Sequence, residues 1–384
     1  MGLLKMAASK NFADSAKQSA RTAGFELCGV ARVGTEDFPE LQHFPQWIER
    51  GHAGEMEYLK SRNEAGALKR EALKNVAPWA RSVVVCGLVY NADEVRSIDP
   101  HQDGQGWISR YAWFQPPDSG KSNDYHDAVM RRLRAVEARL HEDWPVFESD
   151  MPLQTRCYVD TGPLVERVYA KYAGLGWIAK NTCVINQEIG SYFFLGVILT
   201  SAEVTTGEVP LPADRCGSCT RCLDACPTNA ITPYQLDATR CISYLTIEKR
   251  GAIPEEFREA MGRHVFGCDI CQDVCPWNGS ENTLRPVAVT NAPEFNPRPE
   301  LVNPALAWLG NMTREGFNRV FKDSPIKRAK YSGFRRNVAV AIGNSRNENL
   351  LPLARVMAKD PDTNVAEHAQ WAVQQFGHKK VKTQ

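Results

Sequence analysis

Eight of the twelve cysteines in this 384-residue chain lie between Cys216 and Cys275, and that crowding constrains the fold more than any other feature. Inside a reducing compartment disulfides do not persist, so grouped thiolates read as metal ligands. The first group, Cys216-x2-Cys219-x2-Cys222-x3-Cys226-Pro227, has the bacterial ferredoxin spacing for a 4Fe–4S cluster. The second, Cys268-x2-Cys271-x3-Cys275-Pro276, is preceded at a distance by Cys241. In two-cluster ferredoxins the cysteine before proline ligates the other cluster. Cys216, Cys219, Cys222 and Cys275 are therefore assigned to one cluster, and Cys226, Cys241, Cys268 and Cys271 to the second. Cys241 departs from a simple tandem pattern, because an insertion separates it from Cys268. Four-cysteine zinc sites also use C-x2-C pairs, but zinc explains neither the triple nor the two Cys-Pro endings. Cys28, Cys86, Cys157 and Cys183 are scattered and read as small buried residues.

The length calls for two or three domains. A composition of 43% hydrophobic and 24% charged residues, with 46 Lys and Arg against 45 Asp and Glu, is that of a globular protein and argues against disorder or a fibrous repeat. No apolar run approaches the ~18 residues of a membrane helix; Tyr192 to Leu199 ends at Thr200 and Ser201. The start, Met1 to Phe12, has no hydrophobic core followed by a cleavage site, and Met6 stands where a myristoylation signal has Ser or Thr. The expectation is a cytoplasmic protein with no membrane partner. A net charge of +1 leaves nucleic acid open, because a local basic face binds phosphate on a neutral protein.

Periodicity supplies the elements. Ser9 to Gly24 has helical spacing and ends on glycine. Ser82 to Val89 reads as a buried strand. Asp124 to His141 reads as a long helix with Val129, Leu133, Val136 and Leu140 on one stripe. Strand signals follow at Arg156 to Val159, Cys183 to Asn186 and Tyr192 to Thr200, around a helix at Leu164 to Ala173. Alternating elements predict an α/β layer domain over residues 1–205. Thr206 to Pro212 marks a boundary, and the cysteine-rich domain takes 206–290. A Pro-rich stretch, Arg285 to Pro304, opens a helical tail over 300–384. In the tail Arg336 to Gly343 resembles His368 to Gly377; the period, 34 residues between glycines, suits stacked helix pairs. Lys322, Lys327, Arg328, Lys330, Arg335 and Arg336, interleaved with Tyr331 and Phe334, suit a phosphate backbone with unstacked bases, although by itself such a run reads first as a solvated loop.

Several segments carry a resemblance to one family. They are Val159-Asp-Thr-Gly-Pro-Leu-Val-Glu-Arg167, Ala173-Gly-Leu-Gly-Trp-Ile-Ala-Lys-Asn-Thr182, Gly190-Ser-Tyr192, the cysteine motifs, and Arg240-Cys-Ile-Ser-Tyr-Leu245. In this order, over nearly the whole chain, they resemble the epoxyqueuosine reductases of tRNA queuosine synthesis. The resemblance implies a multidomain α+β or α/β chain. It would have an N-terminal cobalamin-binding domain, a ferredoxin-like domain with two 4Fe–4S clusters, and a HEAT-like tail that binds tRNA. It also implies reduction of epoxyqueuosine to queuosine at the wobble position, in tRNAs for Tyr, His, Asn and Asp. A low-potential electron donor, not identified by the sequence, is a further implied partner; a monomer is expected.

Asp160 occupies the family's proton-donor position. A free aspartate is ionised at neutral pH, so the role asks for an apolar pocket around it; Asp before Thr-Gly-Pro is also ordinary turn chemistry. For cobalamin the resemblance points to Arg70, Tyr125, His126, Arg167, Lys180, Asn181, Gly190, Ser191 and Leu195. Asp124-x-His126 begins like a cobalt-ligating motif, but Val129 replaces the required glycine, so no protein histidine is expected on cobalt. For tRNA it points to Ser243 and to Lys327, Arg328, Lys330, Arg335 and Arg336. Phe114 to Asn123 departs from the family pattern and is expected to form a surface loop. The rival readings are a reductive dehalogenase-like cobalamin enzyme, which predicts an export signal and no basic tail, a non-catalytic ferredoxin-type carrier, which needs no large pocket, and a tRNA-binding module with structural clusters.

Overall fold

The computed structural model describes residues 11–33, 38–114, 124–147, 151–204, 210–279 and 287–377. Residues 9–10 of the first expected helix, residues 115–123 of the insertion, residues 206–209 of the first boundary and residues 285–286 of the second lie outside the described residues.

Ser82–Val89 is buried along its full length, as a run of Val, Cys and Leu without polar interruption requires. It is a central strand of a four-stranded sheet in the order Leu27–Arg32, Ser82–Val89, Phe193–Thr200, Thr155–Tyr158. Every pairing is antiparallel. Alternation of helices and strands along the sequence does not set strand direction here, because the connections wander through short helices and turns instead of crossing over in a single helix.

Side chains leave the sheet on alternate faces. Val84, Cys86, Leu88 and Ile198 meet the helices Phe12–Thr22 and Tyr125–Asp143 in one core. Val129, Leu133, Val136 and Leu140 of the second helix are fully buried there, each worth about 1.5–3 kcal/mol. Asn11 and Asp124 cap these helices by accepting from the Asp14 and His126 amides at 2.8 and 3.0 Å. On the other face Val83, Val85, Val197 and Leu199 pack on Val168, Tyr169 and Ala170 of helix Glu166–Tyr172. Gly29 permits this approach: a Cβ there would stand 1.9 Å from the Ala173 carbonyl oxygen.

The cysteine-rich segment and the tail close onto the same body. Trp107–Ile108 pairs in parallel with His264–Phe266. Trp107, Ile108, Trp113, Val265 and Phe266 then share a core with Leu306, Phe317, Phe334 and Val338 of the tail. The resembling segments of the tail fall on helices Lys330–Ser345 and Thr363–Gln375, which pack together. Gly343 is the close point, where a Cβ would lie 2.8 Å from the Ala372 Cα. Phe114 is a core residue, not part of a surface loop: its ring lies 4.6 Å from Phe295.

Candidate functional site

Two cavities meet at Asp160. The outer one encloses about 1480 Å³. Tyr58, Arg62, Lys69 and Lys74 line one part of it and Lys327, Arg328 and Lys330 another. The inner one, about 270 Å³, is lined by Tyr90, Ser191, Phe194, Leu195, Gln272 and others, and sits against the sheet. Tyr111, Tyr125 and Asp160 line both.

Asp160 follows strand Thr155–Tyr158 in a turn that holds it at φ 53°, a left-handed conformation that a short polar residue tolerates. Its Oδ2 accepts from the Tyr125 hydroxyl at 2.9 Å and lies 3.9 Å from His126 Nε2. Tyr125 stacks on Phe194 with centroids 4.2 Å apart, so the sheet fixes the hydroxyl that holds the carboxylate. Burial pushes the Tyr125 phenol well above its usual range, and the Asp160 charge adds to this. Burial would lower His126, but a hydrogen bond to Asp124 at 2.6 Å and the charges of Asp124 and Asp160 raise it overall. The apolar pocket expected around Asp160 is absent: its side chain is 68% exposed. The acid with a shielded oxygen is instead the half-buried Glu166, on the first turn of the next helix. Its Oε1 is shielded from solvent and has no hydrogen-bond partner among the described residues, and it lines the inner cavity. Burial, with the Asp160 charge, pushes it up to about 7. Glu166 stood inside a motif of the sequence without distinguishing itself, because a single acid beside Val165 shows no sign of burial.

The other expected residues divide between the cavities and the cysteine loops. Arg70 lines the outer cavity and donates to the Tyr58 and Gly162 carbonyls at 2.7 and 2.9 Å. Arg167 and Leu195 line the inner cavity; Arg167 donates to the Thr182 carbonyl at 2.9 Å. Ser191 lines it too and is clasped by Asn278, which accepts from its amide at 2.7 Å and donates to its hydroxyl at 2.8 Å. Gly190 packs where a Cβ would lie 2.2 Å from Asn278 Oδ1. Lys180 Nζ donates to the Gly217 and Cys219 carbonyls at 2.6 and 2.9 Å, and Asn181 donates to the Cys271 carbonyl at 3.1 Å. Lys180, Asn181 and Gly190 thus brace the cysteine segment and line neither cavity.

Cys216, Cys219, Cys222 and Cys275 line one cavity of about 40 Å³, beneath Trp177 and Trp277 packed edge to face at 5.1 Å. Burial pushes Cys275 up to about 12. Cys226, Cys241 and Cys268 sit close enough for their charges to act on one another, and burial with these neighbours pushes Cys268 well up. Cys271 shares a hydrogen bond with Cys183, which raises it, and feels Cys268 and Cys241. Among the described residues no three His, Cys, Asp or Glu side chains close down on a single metal ion.

The basic tail is only partly available to a ligand. Lys327, Arg328 and Lys330 face the outer cavity. Arg336 does not: it is fully buried and donates to the carbonyls of Leu245, Lys249 and Gly251 at 2.7, 3.0 and 2.6 Å. Arg335 is paired with Asp360 at 3.0 Å and donates to the Gly310 carbonyl at 3.0 Å. These two cations hold the tail to itself and to the cysteine segment, and Arg336, fully buried, is not at the surface where tRNA was expected to meet it. Ser243 lies in helix Ile242–Ile247, whose Ile247 borders the outer cavity while Ser243 does not. Arg62, Lys69 and Lys74 join the basic lining; dispersed over a polar segment, they form no run in the sequence.

Residues 70–161 match the family described as Epoxyqueuosine reductase QueG, DUF1730. Residues 215–278 match the 4Fe-4S double cluster binding domain. The chain is 36% identical to an epoxyqueuosine reductase of Pseudomonas aeruginosa, over 95% of this chain and 94% of that one. It is 34% identical to that of Escherichia coli K12, over 94% and 89%. A crystal structure of epoxyqueuosine reductase with a tRNA-Tyr epoxyqueuosine-modified stem loop superposes with a TM-score of 0.75 at 30% identity, covering 95% of this chain and 90% of that one. The enzyme from Streptococcus thermophilus superposes with a TM-score of 0.75 at 25% identity, covering 96% and 90%.

Proposed function

The chain belongs to the epoxyqueuosine reductase family and is an oxidoreductase, and from that premise we propose that it removes the epoxide oxygen of epoxyqueuosine at the tRNA wobble position to give queuosine. The observation that carries this reading is the place of Asp160, at the junction of a basic outer cavity and an aromatic inner one with cysteine loops behind it. An organohalide enzyme or an electron carrier has no use for the outer cavity and its cations.

The residues present fit both kinds of cofactor. Cys216, Cys219, Cys222 and Cys275, around one cavity, would hold one 4Fe–4S cluster; Cys226, Cys241, Cys268 and Cys271 would hold the second. The outer cavity, of about 1480 Å³, has room for a macrocycle, and Tyr58, Tyr111 and Tyr125 in its lining offer a flat one aromatic faces. Arg70, Tyr125 and His126 would hold cobalamin there, with Arg167, Ser191 and Leu195 in the adjoining inner cavity. Lys180, Asn181 and Gly190 would act indirectly, by bracing the cysteine segment. Bound cobalamin supplies a low-valent cobalt able to reduce a carbon–oxygen bond.

The chain's own residues bind, orient and protonate. Lys327, Arg328 and Lys330, with Arg62, Lys69 and Lys74, neutralise phosphates of an anticodon arm, and a base turned out of its stack reaches Asp160. The Tyr125 hydroxyl and His126 orient the Asp160 carboxyl toward the epoxide oxygen, where a proton is needed as the bond opens. Docked tRNA would cover Asp160 and exclude water from it. The tail, of HEAT-like stacked helices, forms one wall of this cleft.

The test is genetic. In a bacterium whose own epoxyqueuosine reductase is deleted, expression of this chain should convert epoxyqueuosine in tRNA to queuosine, read by nucleoside mass analysis. Persistence of the epoxide with the protein stably expressed and its clusters loaded would reject the reading.

A further inference from the structure

Removing an epoxide oxygen as water takes two electrons and two protons. Both carbon–oxygen bonds break, a carbon–carbon double bond forms, and the oxygen departs carrying both protons. The electrons come from the reductant of the proposed reaction. One carboxyl group holds one proton, so Asp160 alone leaves the second unaccounted for.

Glu166 is placed to hold it. It lies six residues beyond Asp160, across the Thr161-Gly-Pro-Leu-Val165 turn, and both line the inner cavity. Its Oε1 is closed off from solvent and meets no donor among the described residues. The neighbouring cations are committed elsewhere: Arg70 to the Tyr58 and Gly162 carbonyls, Arg167 to Thr182. Asp160, by contrast, is open to the outer cavity and touches Tyr125. One carboxyl thus faces the substrate side while the other, half-buried, keeps one oxygen shielded behind it.

We infer that Glu166 is the proton reservoir of the reaction, resupplying Asp160 through the inner cavity so that the departing oxygen receives its second proton. Glu166 touches no reacting atom; it acts through Asp160. The groups that face it are Arg167 on its own helix, Asp160 on the preceding turn, Arg70 from the outer wall, and Tyr111, Tyr125 and Cys183 around the cavity. Burial, reinforced by the Asp160 charge and opposed by its own backbone amide, Arg70 and Arg167, sets it at about 7. It therefore exchanges its proton near neutrality, where a relay group is most effective. This inference rests on the proposed reaction.

Two measurements test it, the first without turnover. Infrared difference spectra of reconstituted protein, titrated in the absence of tRNA, should show the carbonyl band of a protonated carboxylic acid disappearing around pH 7. The band should be missing in Glu166→Gln and persist in Asp160→Asn with a lower midpoint, since the charge that raises it is gone. The second is single-turnover reduction of an epoxyqueuosine stem-loop against pH. The wild-type rate should fall as pH rises through about 7, because only protonated Glu166 can deliver. Glu166→Gln, with unchanged cluster and cobalamin content, should be slower by roughly a hundredfold and lose that limb, and Glu166→Asp should regain part of both. A Gln variant with the wild-type rate and profile, or a wild-type protein without the band, overturns the reservoir while the reductase reading stands. A wild-type protein that shows the band but leaves the epoxide intact overturns the reaction, and the reservoir with it.

Discussion

At the scale of single residues the site separates two carboxyls by exposure. Asp160 is held at φ 53° by its turn and gripped by Tyr125, so Asp160→Asn keeps the shape of the turn and removes the proton. Its expected effect is a loss of about a hundredfold or more in epoxide reduction with iron content and fold unchanged, checked by single-turnover assay beside iron analysis. Glu166 makes the opposite kind of prediction, on stability. Its folded-state pKa of about 7 lies above the ordinary glutamate value of 4.5, so the folded chain binds the extra proton and stability falls as pH rises between those values. At pH 8 Glu166→Gln should be more stable than wild type, by about 1–3 kcal/mol, and the advantage should vanish below pH 4.5. Denaturant titrations at the two pH values check this; equal stability at pH 8 would show that the acid is not held in a costly place. The contrast between the two acids could not be read from the sequence. Asp-Thr-Gly-Pro announced a turn and the family resemblance marked its aspartate, but exposure of Asp160 and burial of Glu166 are set by how the turn lands on the sheet.

Among the elements, helix Lys330–Ser345 shows how one sequence feature carries two physical roles. The run of cations that ends at Arg336 looks uniform in sequence, yet a helix turns its successive residues to different surroundings. Lys327, Arg328 and Lys330 precede or open the helix and meet the outer cavity; Arg336, two turns on, is sealed against three carbonyls of the cysteine segment. Arg336→Ala leaves the Leu245 carbonyl buried without its donor and empties the space the side chain fills, and should cost about 3 kcal/mol or more, read by chemical denaturation. Replacing Lys327, Arg328 and Lys330 together by Ala should leave stability within about 1 kcal/mol. It should also weaken tRNA binding and flatten its salt dependence by about one unit of slope for each phosphate no longer neutralised. Unchanged salt dependence in the triple variant would remove this face from the interface. The strand Ser82–Val89 was legible for the converse reason: a segment buried on both faces keeps an apolar run, Val83 to Val89, free of charged residues.

For the whole molecule, the proposed reaction would put electron entry, cofactor and substrate along one path. The cysteine loops lie behind the inner cavity, held by Lys180 and Asn181 and joined to its lining by the Asn278 clasp on Ser191. The basic cleft opens on the other side of Asp160. Cysteine spacing announces such a domain because each cluster fixes its ligand pattern. The antiparallel sheet and the core that joins Trp107, Phe266 and Phe334 are long-range facts that no local pattern carries. The account's central claim is that this one chain, loaded with two clusters and cobalamin, takes the oxygen from epoxyqueuosine in tRNA. The most direct measurement is anaerobic reconstitution with iron, sulfide and cobalamin, followed by incubation with a strong reductant and epoxyqueuosine-bearing tRNA and mass analysis of the released nucleoside. The account predicts about eight irons per chain and a product lighter by one oxygen atom. Epoxide returned intact by protein carrying its full iron and cobalamin would contradict it.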